Sequence, residues 1–148
     1  MKTFIISFLA LALLSACQKE GFQHSSMEFI LSKDCCSDLV SVAKNRLNLT
    51  FEDVDIAIAT ADVNNDDLTD FFAQIQSPLH CGSSGCETYL FLANNGEYSV
   101  QSLFNTSDKI ILVDNAQGSF RDLIVTGKDD KMCQWSWLEN NYEFMRCD

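Results

Sequence analysis

Basic residues are scarce in this chain, and their scarcity limits its partners. The 148-residue sequence has 10 Lys and Arg against 21 Asp and Glu, a formal net charge of −11. We expect no nucleic-acid partner, because binding phosphates needs a basic face. Proline and glycine are also scarce, at one and six residues, which excludes collagen-like and proline-rich linker classes. The length suits one domain of ordinary size.

The N-terminal apolar run, Phe4–Leu14, is too short to span a bilayer, which takes about 20 residues. It follows the positively charged start Met1-Lys2 and is interrupted only by Ser7. This pattern is typical of the apolar region of a secretory signal peptide. Without residues 1–16, nine basic side chains face 21 acidic ones, a balance of −12.

The tetrapeptide Leu14-Ser15-Ala16-Cys17 closes this segment and resembles the lipobox of bacterial lipoproteins. The resemblance implies diacylglycerol on the Cys17 sulfur, cleavage before Cys17 and acylation of the new amine. Two or three acyl chains hold a protein durably, at about 0.8 kcal/mol per buried methylene. Gln18 stands where enterobacterial lipoproteins of the inner membrane tend to have Asp. The resemblance therefore implies a lipid-anchored protein of the bacterial cell envelope, at the outer membrane and facing the periplasm. The alternative is a plain secretory signal with a chance Cys.

The rest of the chain is expected to form a short tether, residues 17–26, and one globular domain, residues 27–148. Asp38 can cap a helix whose apolar face is Leu39, Val42, Ala43 and Leu47. The stretch Met27–Ser32 is considered as an earlier turn of the same helix.

From Val54 onward the apolar residues alternate, which favours strands. Asn95-Gly96 is a strong hairpin signal. We expect an α+β fold, mainly an antiparallel β-sheet with one N-terminal helix, stapled by disulfides. The predicted strands are Val54–Thr60, Leu68–Gln76, Tyr89–Ala93, Tyr98–Phe104, Lys109–Asp114, Asp122–Thr126, Met132–Leu138 and Tyr142–Arg146.

Six further cysteines indicate an oxidising compartment, and six cysteines allow 15 pairings. A final hairpin turning at Glu139-Asn140-Asn141 places Cys133 opposite Cys147, at a separation that suits a disulfide. The flexible loop between Cys81 and Cys86 can close on itself. Elimination leaves Cys35 bonded to its neighbour Cys36. The alternative is thiol chemistry, in which Cys81 would be the nucleophile and the adjacent His80 its base.

The acidic segment Asp62–Asp70 is the candidate ligand site. Oxygen-bearing side chains stand at positions 1, 3, 5 and 9, and a main-chain carbonyl is available at position 7, as in a calcium loop. Position 6 is Asp67 where Gly is usual, and position 12 is Ala73, so the segment is not an EF-hand. The predicted calcium ligands are Asp62, Asn64, Asp66, Leu68 and Asp70. The alternative is a solvated polar turn.

This loop resembles the Asp-x-Asn-x-Asp-Gly-x-x-Asp loop of FG-GAP and VCBS-type β-repeat proteins, where it joins two strands. More widely, the chain is similar to small proteobacterial envelope proteins of unassigned function. Those combine such a loop with a Cys-Gly-x-x-Gly-Cys segment and a Trp-x-Trp…Tyr hairpin, here Cys81–Cys86 and Trp135-Ser-Trp137 with Tyr142. We interpret the aromatic residues of this hairpin as sheet core, and the alternative is a carbohydrate or protein contact; they are Trp135, Trp137, Tyr142 and Phe144.

The expected function is a non-enzymatic binding or structural role at the envelope, held by the lipid anchor. Calcium is the one cofactor considered. One alternative is an inhibitor of a cationic hydrolase such as lysozyme, since the acidic balance would steer the chain to a basic envelope protein. The other alternative is an enzyme using His80.

Overall fold

A computed structural model of the protein describes residues 26–50, 54–107, 109–115, 118–126 and 130–148. The predicted signal peptide, the lipidated Cys17 and nearly all of the tether lie outside these residues. Within them, no helix has the length and apolar character that crossing a membrane requires.

The described chain folds into one helix and ten strands, which confirms the mainly antiparallel β fold with a helix. The elements in order are β1 Ser26–Ile30, α1 Ser37–Arg46, β2 Asp55–Ala61, β3 Asp70–Gln76, β4 Cys81–Gly82, β5 Gly85–Asn94, β6 Glu97–Thr106, β7 Lys109–Val113, β8 Asp122–Thr126, β9 Met132–Leu138 and β10 Asn141–Cys147. The Asn95-Gly96 turn joins β5 to β6 as predicted, with Asn94 paired to Glu97.

The strands form two five-stranded antiparallel sheets. Sheet 1 has the order β1-β7-β8-β9-β10. Sheet 2 contains β2 to β6: β3 lies between β2 and β5, and β5 also pairs with β4 and β6. A single bridge between Ser32 and Ile58 links the segment after β1 to β2.

Sheet 2 is the middle layer of the molecule, between sheet 1 and the helix. Its inner face joins sheet 1 in one core, where Phe72 and Leu90 meet Leu112 and Leu123. Its outer face packs under α1 in a second core. Because both faces are covered, six of the seven β3 residues are buried, where simple alternation would bury only one face.

The apolar face predicted for the helix is confirmed. Ala43 is fully buried and Leu39, Val42 and Leu47 pack against the second core. The predicted cap is wrong: Asp38 lies in the first turn, and the N-cap is Cys36, which has a left-handed backbone (φ 62°) and no side-chain capping bond. The earlier helical turn considered at Met27–Ser32 is also wrong, because this stretch is mostly strand β1, paired with β7.

Candidate functional site

The acidic loop joins β2 to β3, as the sequence predicts. The two strands pair up to the base of the loop, where Ala61 faces Asp70. Val63 is fully buried below the loop, whereas Asp66 and Asp67 are exposed. The loop is thus a surface turn held from below by one apolar side chain.

The carboxylates of Asp62 and Asp66 accept hydrogen bonds from other residues of the loop and so hold the turn. The N–H groups of Asp66 and Asp67 donate to the two Asp62 carboxylate oxygens, each at 3.2 Å. The Leu68 N–H and the Asn64 side-chain amide each donate to Asp66, at 2.8 Å. A carboxylate oxygen has two lone pairs, so these bonds leave capacity for a further ligand.

The carboxylate of Asp70, at loop position 9, is buried. Its Oδ2 accepts the Val63 N–H at 2.9 Å and its Oδ1 accepts the Ala93 N–H at 2.8 Å. Burial raises the pKa of the Asp70 carboxyl, the two N–H donors lower it in part, and the charges of Asp66 and Asp62 raise it further. Three of the predicted calcium ligands therefore lie close enough to repel one another.

Asn64, at position 3, carries a side-chain oxygen that lacks a partner. Its Oδ1 is buried and accepts no hydrogen bond within the described part of the chain, while its Nδ2 donates to Asp66. An unsatisfied buried acceptor costs about 1–3 kcal/mol. A cation beside Asp62 and Asp66 would satisfy this oxygen, because amide and carboxylate oxygens are the ligands that calcium prefers.

Position 6 of the loop has the backbone that glycine would adopt, although the residue is Asp67. Its φ is 62°, and Asn65 has a φ of 57°. The turn therefore forms although Asp67 replaces the usual Gly. Asp67 adopts the left-handed backbone conformation, in which the Cβ of most residues causes strain.

The loop also contacts sheet 1, which the sequence did not reveal. Arg121, just before β8, donates its main-chain N–H to the Val63 carbonyl at 2.9 Å. Its Nη1 donates to the Asp62 carbonyl and its Nε to Asp114 at 2.9 Å. The two contacts to Asp62 and Val63 join residues more than 50 positions apart, and no spacing rule relates such residues.

Asn65 makes a further contact between the acidic loop and the segment before β8. The Asn65 side-chain amide donates to the Ser119 carbonyl at 2.9 Å. The acidic loop of sheet 2 is thus tied to the segment that leads into β8 of sheet 1.

As it stands, the loop is not a closed metal cage. Among the described residues, no three His, Cys, Asp or Glu side chains are grouped so as to hold a metal ion. The carboxylates bond to main-chain N–H groups instead, and the Asn64 amide spans to Asp66. The oxygens of the predicted ligands are nevertheless of the chemical type that calcium prefers.

The three predicted disulfides are confirmed. Cys35 is bonded to Cys36, Cys81 to Cys86 and Cys133 to Cys147. The alternative in which the Cys81 thiol acts as a nucleophile is wrong, since its sulfur is bonded to Cys86.

His80 instead belongs to a small polar cluster. Its Nδ1 lies 3.0 Å from Glu87 Oε2, which also accepts the Tyr89 hydroxyl at 3.1 Å. The side chains of His80 and Glu87 are 29% and 42% exposed. The cluster orients one imidazole.

The aromatic residues of the last hairpin lie mainly in the core, as the sequence predicts. Trp135 and Trp137 pack against the inter-sheet core, and Tyr142 is a buried member of it. Trp137 stacks on Phe120, with ring centroids 3.8 Å apart. Phe144 differs from these residues, since 53% of it is exposed.

No known family, curated protein or solved structure matches this chain.

Proposed function

We propose that this protein is a non-enzymatic, lipid-anchored domain of the bacterial cell envelope whose acidic loop binds calcium. The bound ion would fasten the loop and, through Arg121 and Ser119, hold the two sheets together. The proposed role is binding or structural rather than catalytic.

The unpartnered oxygen of Asn64 is the observation that carries the calcium proposal. It is buried, it lies at a ligand position, and Asp66 is its immediate neighbour. A solvated polar turn would expose such an oxygen to water. A divalent cation would give this oxygen a partner and would offset the repulsion that Asp66 and Asp62 exert on the Asp70 carboxylate.

The affinity should be low, on the order of 10⁻⁴–10⁻³ M, as in extracellular calcium modules. A calcium titration followed by amide NMR signals tests the site. We expect the Val63 and Ala93 signals to shift, because both amides donate to Asp70.

Asp66→Ala should abolish the saturable shifts. Asp67→Ala is the matched control, because it removes a neighbouring exposed carboxylate from a position that is not a ligand. Equal losses in both variants would indicate a general charge effect and would contradict the site.

The lipid anchor rests on the resemblance of residues 14–17 to a lipobox. We expect wild-type cells to incorporate labelled palmitate into the protein and to accumulate its precursor under globomycin. Cys17→Ser should remain an uncleaved, unlabelled precursor. Normal processing of the wild type without label would contradict the anchor.

A second candidate, inhibition of a cationic hydrolase, is favoured by a hollow beside the acidic loop. This open hollow, about 360 Å³ in volume, is lined partly by Asp62 and Asp67 and would admit a basic side chain. Capture of the chain by immobilised lysozyme, lost in an Asp62→Ala, Asp67→Ala double variant, would support this candidate. Capture that the double variant retains would contradict it.

A further inference from the structure

The last strand, β10, lies at an edge of sheet 1. It pairs with β9 on one side only in the described structure, and all of its residues except Tyr142 are exposed. An edge strand presents a row of N–H and C=O groups to which another strand can pair.

This edge carries exposed apolar side chains. Phe144 and Met145 are 53% and 50% exposed, and the β9–β10 hairpin also carries Met132 and Leu138. These four are half of the exposed large apolar side chains of the described residues. Phe144 and Met145 are neighbours on the edge strand itself, and contiguous exposed apolar surface marks interaction sites.

A bulge at Met145 places two opposite charges on one face of β10. Glu143 faces Ser136 and Arg146 faces Gln134, and these partners are two residues apart on β9. Residues two apart share a face, so Glu143 and Arg146 do as well. Without the bulge, residues three apart would point to opposite faces. No salt bridge of the described residues involves either charge.

We propose that β10 pairs antiparallel with β10 of a second copy of this chain. A two-fold axis perpendicular to the sheet, passing near Phe144 and Met145, places Glu143 of each copy opposite Arg146 of the other. The same patch thus serves both partners, as a two-fold interface requires. The pairing joins two five-stranded sheets into one and brings Phe144 and Met145 of the two copies together.

The opposite charges of Glu143 and Arg146 favour a second copy of the chain as the partner of this edge. An anionic lipid surface would favour Arg146 but not Glu143. When two copies of β10 pair antiparallel, each Glu143 lies opposite an Arg146, whereas an in-register parallel pair would place like charges opposite each other.

Co-purification of two differently tagged full-length copies from the same cells tests the pairing. We expect the wild-type copies to be captured together. Glu143→Arg in both copies should abolish capture, because it places two positive charges opposite each other on each side of the axis. Arg146→Glu in both copies should abolish it through two negative charges. One copy with Glu143→Arg and one with Arg146→Glu should be captured together again, because the opposite charges are restored.

Glu97→Arg is the matched control, since it makes the same change at an exposed position of β6, and it should leave capture unchanged. Both single variants should retain the Cys133–Cys147 disulfide in peptide maps, which shows that the hairpin folds. The proposal is overturned if wild-type copies are not captured together, including the case in which the hairpin binds lipid vesicles instead. It is also overturned if the mixed pair fails to restore capture.

Discussion

The guanidinium of Arg121 donates a hydrogen bond to the main-chain carbonyl of Asp62, so a side chain from sheet 1 holds the acidic loop of sheet 2. The main chain of Arg121 adds two contacts, to the Val63 carbonyl and from the Tyr142 hydroxyl. Together with the Asn65–Ser119 contact, Arg121 therefore connects the candidate calcium loop to the core of sheet 1.

Arg121→Ala should destabilise the protein by about 1–3 kcal/mol, because it leaves the part-buried Asp62 carbonyl without its side-chain donor. The thermal midpoint should fall by about 4 °C per kcal/mol. Lys33→Ala is the control, since it removes the exposed ion pair to Asp55 and should change the midpoint little. Equal effects of the two variants would show that Arg121 does not hold the loop.

Asp67→Gly should stabilise the protein by about 1 kcal/mol. The backbone of Asp67 is left-handed (φ 62°), and glycine adopts this conformation without the Cβ strain. Asp67→Ala removes the same carboxylate but keeps a Cβ, so it should give no such gain in urea denaturation. If Ala and Gly are equally stable at this position, the turn is not strained by its side chain.

The Tyr142 hydroxyl should make stability fall at alkaline pH. It donates to the Arg121 carbonyl at 2.6 Å. Burial, followed by the charges of Asp122 and Asp70, raises its pKa far above the usual value. An unfolded Tyr loses its proton near pH 10 while the folded one keeps it. The contribution of Tyr142 is thus complete below pH 10 and is lost as the pH rises above it.

Tyr142→Phe should therefore cost about 1–2 kcal/mol at pH 7, from the lost hydrogen bond. The difference in the free energy of unfolding between wild type and variant should be about 1 kcal/mol smaller at pH 11 than at pH 7. Urea denaturation at the two pH values measures it. A difference that stays constant with pH would contradict the buried, protonated Tyr142.

Removal of the Cys133–Cys147 disulfide by a double substitution to Ser should cost about 3 kcal/mol in the chain-entropy model. Removal of Cys81–Cys86 should cost less, about 2 kcal/mol, because the sequence separation it bridges is 5 rather than 14. Non-reducing peptide maps of the wild type should contain both links. Free thiols at these positions would contradict the fold.

The pairing of Cys133 with Cys147 was predicted correctly, although the turn from which it was derived was predicted with the wrong length. The sequence suggested a turn of three residues centred on Asn140. In the structure Leu138 pairs with Asn141, so the turn has two residues. The bulge at Met145 then adds one residue to β10 and brings Cys147 back opposite Cys133. A bulge carries no strong sequence signal, which is why the register could not be derived.

Local sequence patterns predicted most of the strands and the helix, but they do not predict contacts between residues far apart in the sequence. The alternation from Val54 predicted β2, and the Asn95-Gly96 pair predicted the β5–β6 hairpin. Strand β1 was missed because Ser26–Ile30 is short and pairs with the distant β7. The position of the acidic loop between two strands was predicted from its own residues, whereas its attachment to Arg121 depends on the packing of two sheets.

The thermal midpoint of the wild-type protein in calcium, compared with sodium at equal ionic strength, tests the central claim most directly. A ligand that binds only the folded state should stabilise it by about 1–3 kcal/mol when its concentration is 10–100 times the dissociation constant. We predict that about 10 mM calcium raises the midpoint by several degrees above sodium, and that Asp66→Ala removes this difference. Screening alone is shared by both salts. Equal midpoints in calcium and sodium for the wild type would contradict the calcium site and leave the acidic loop as a polar turn.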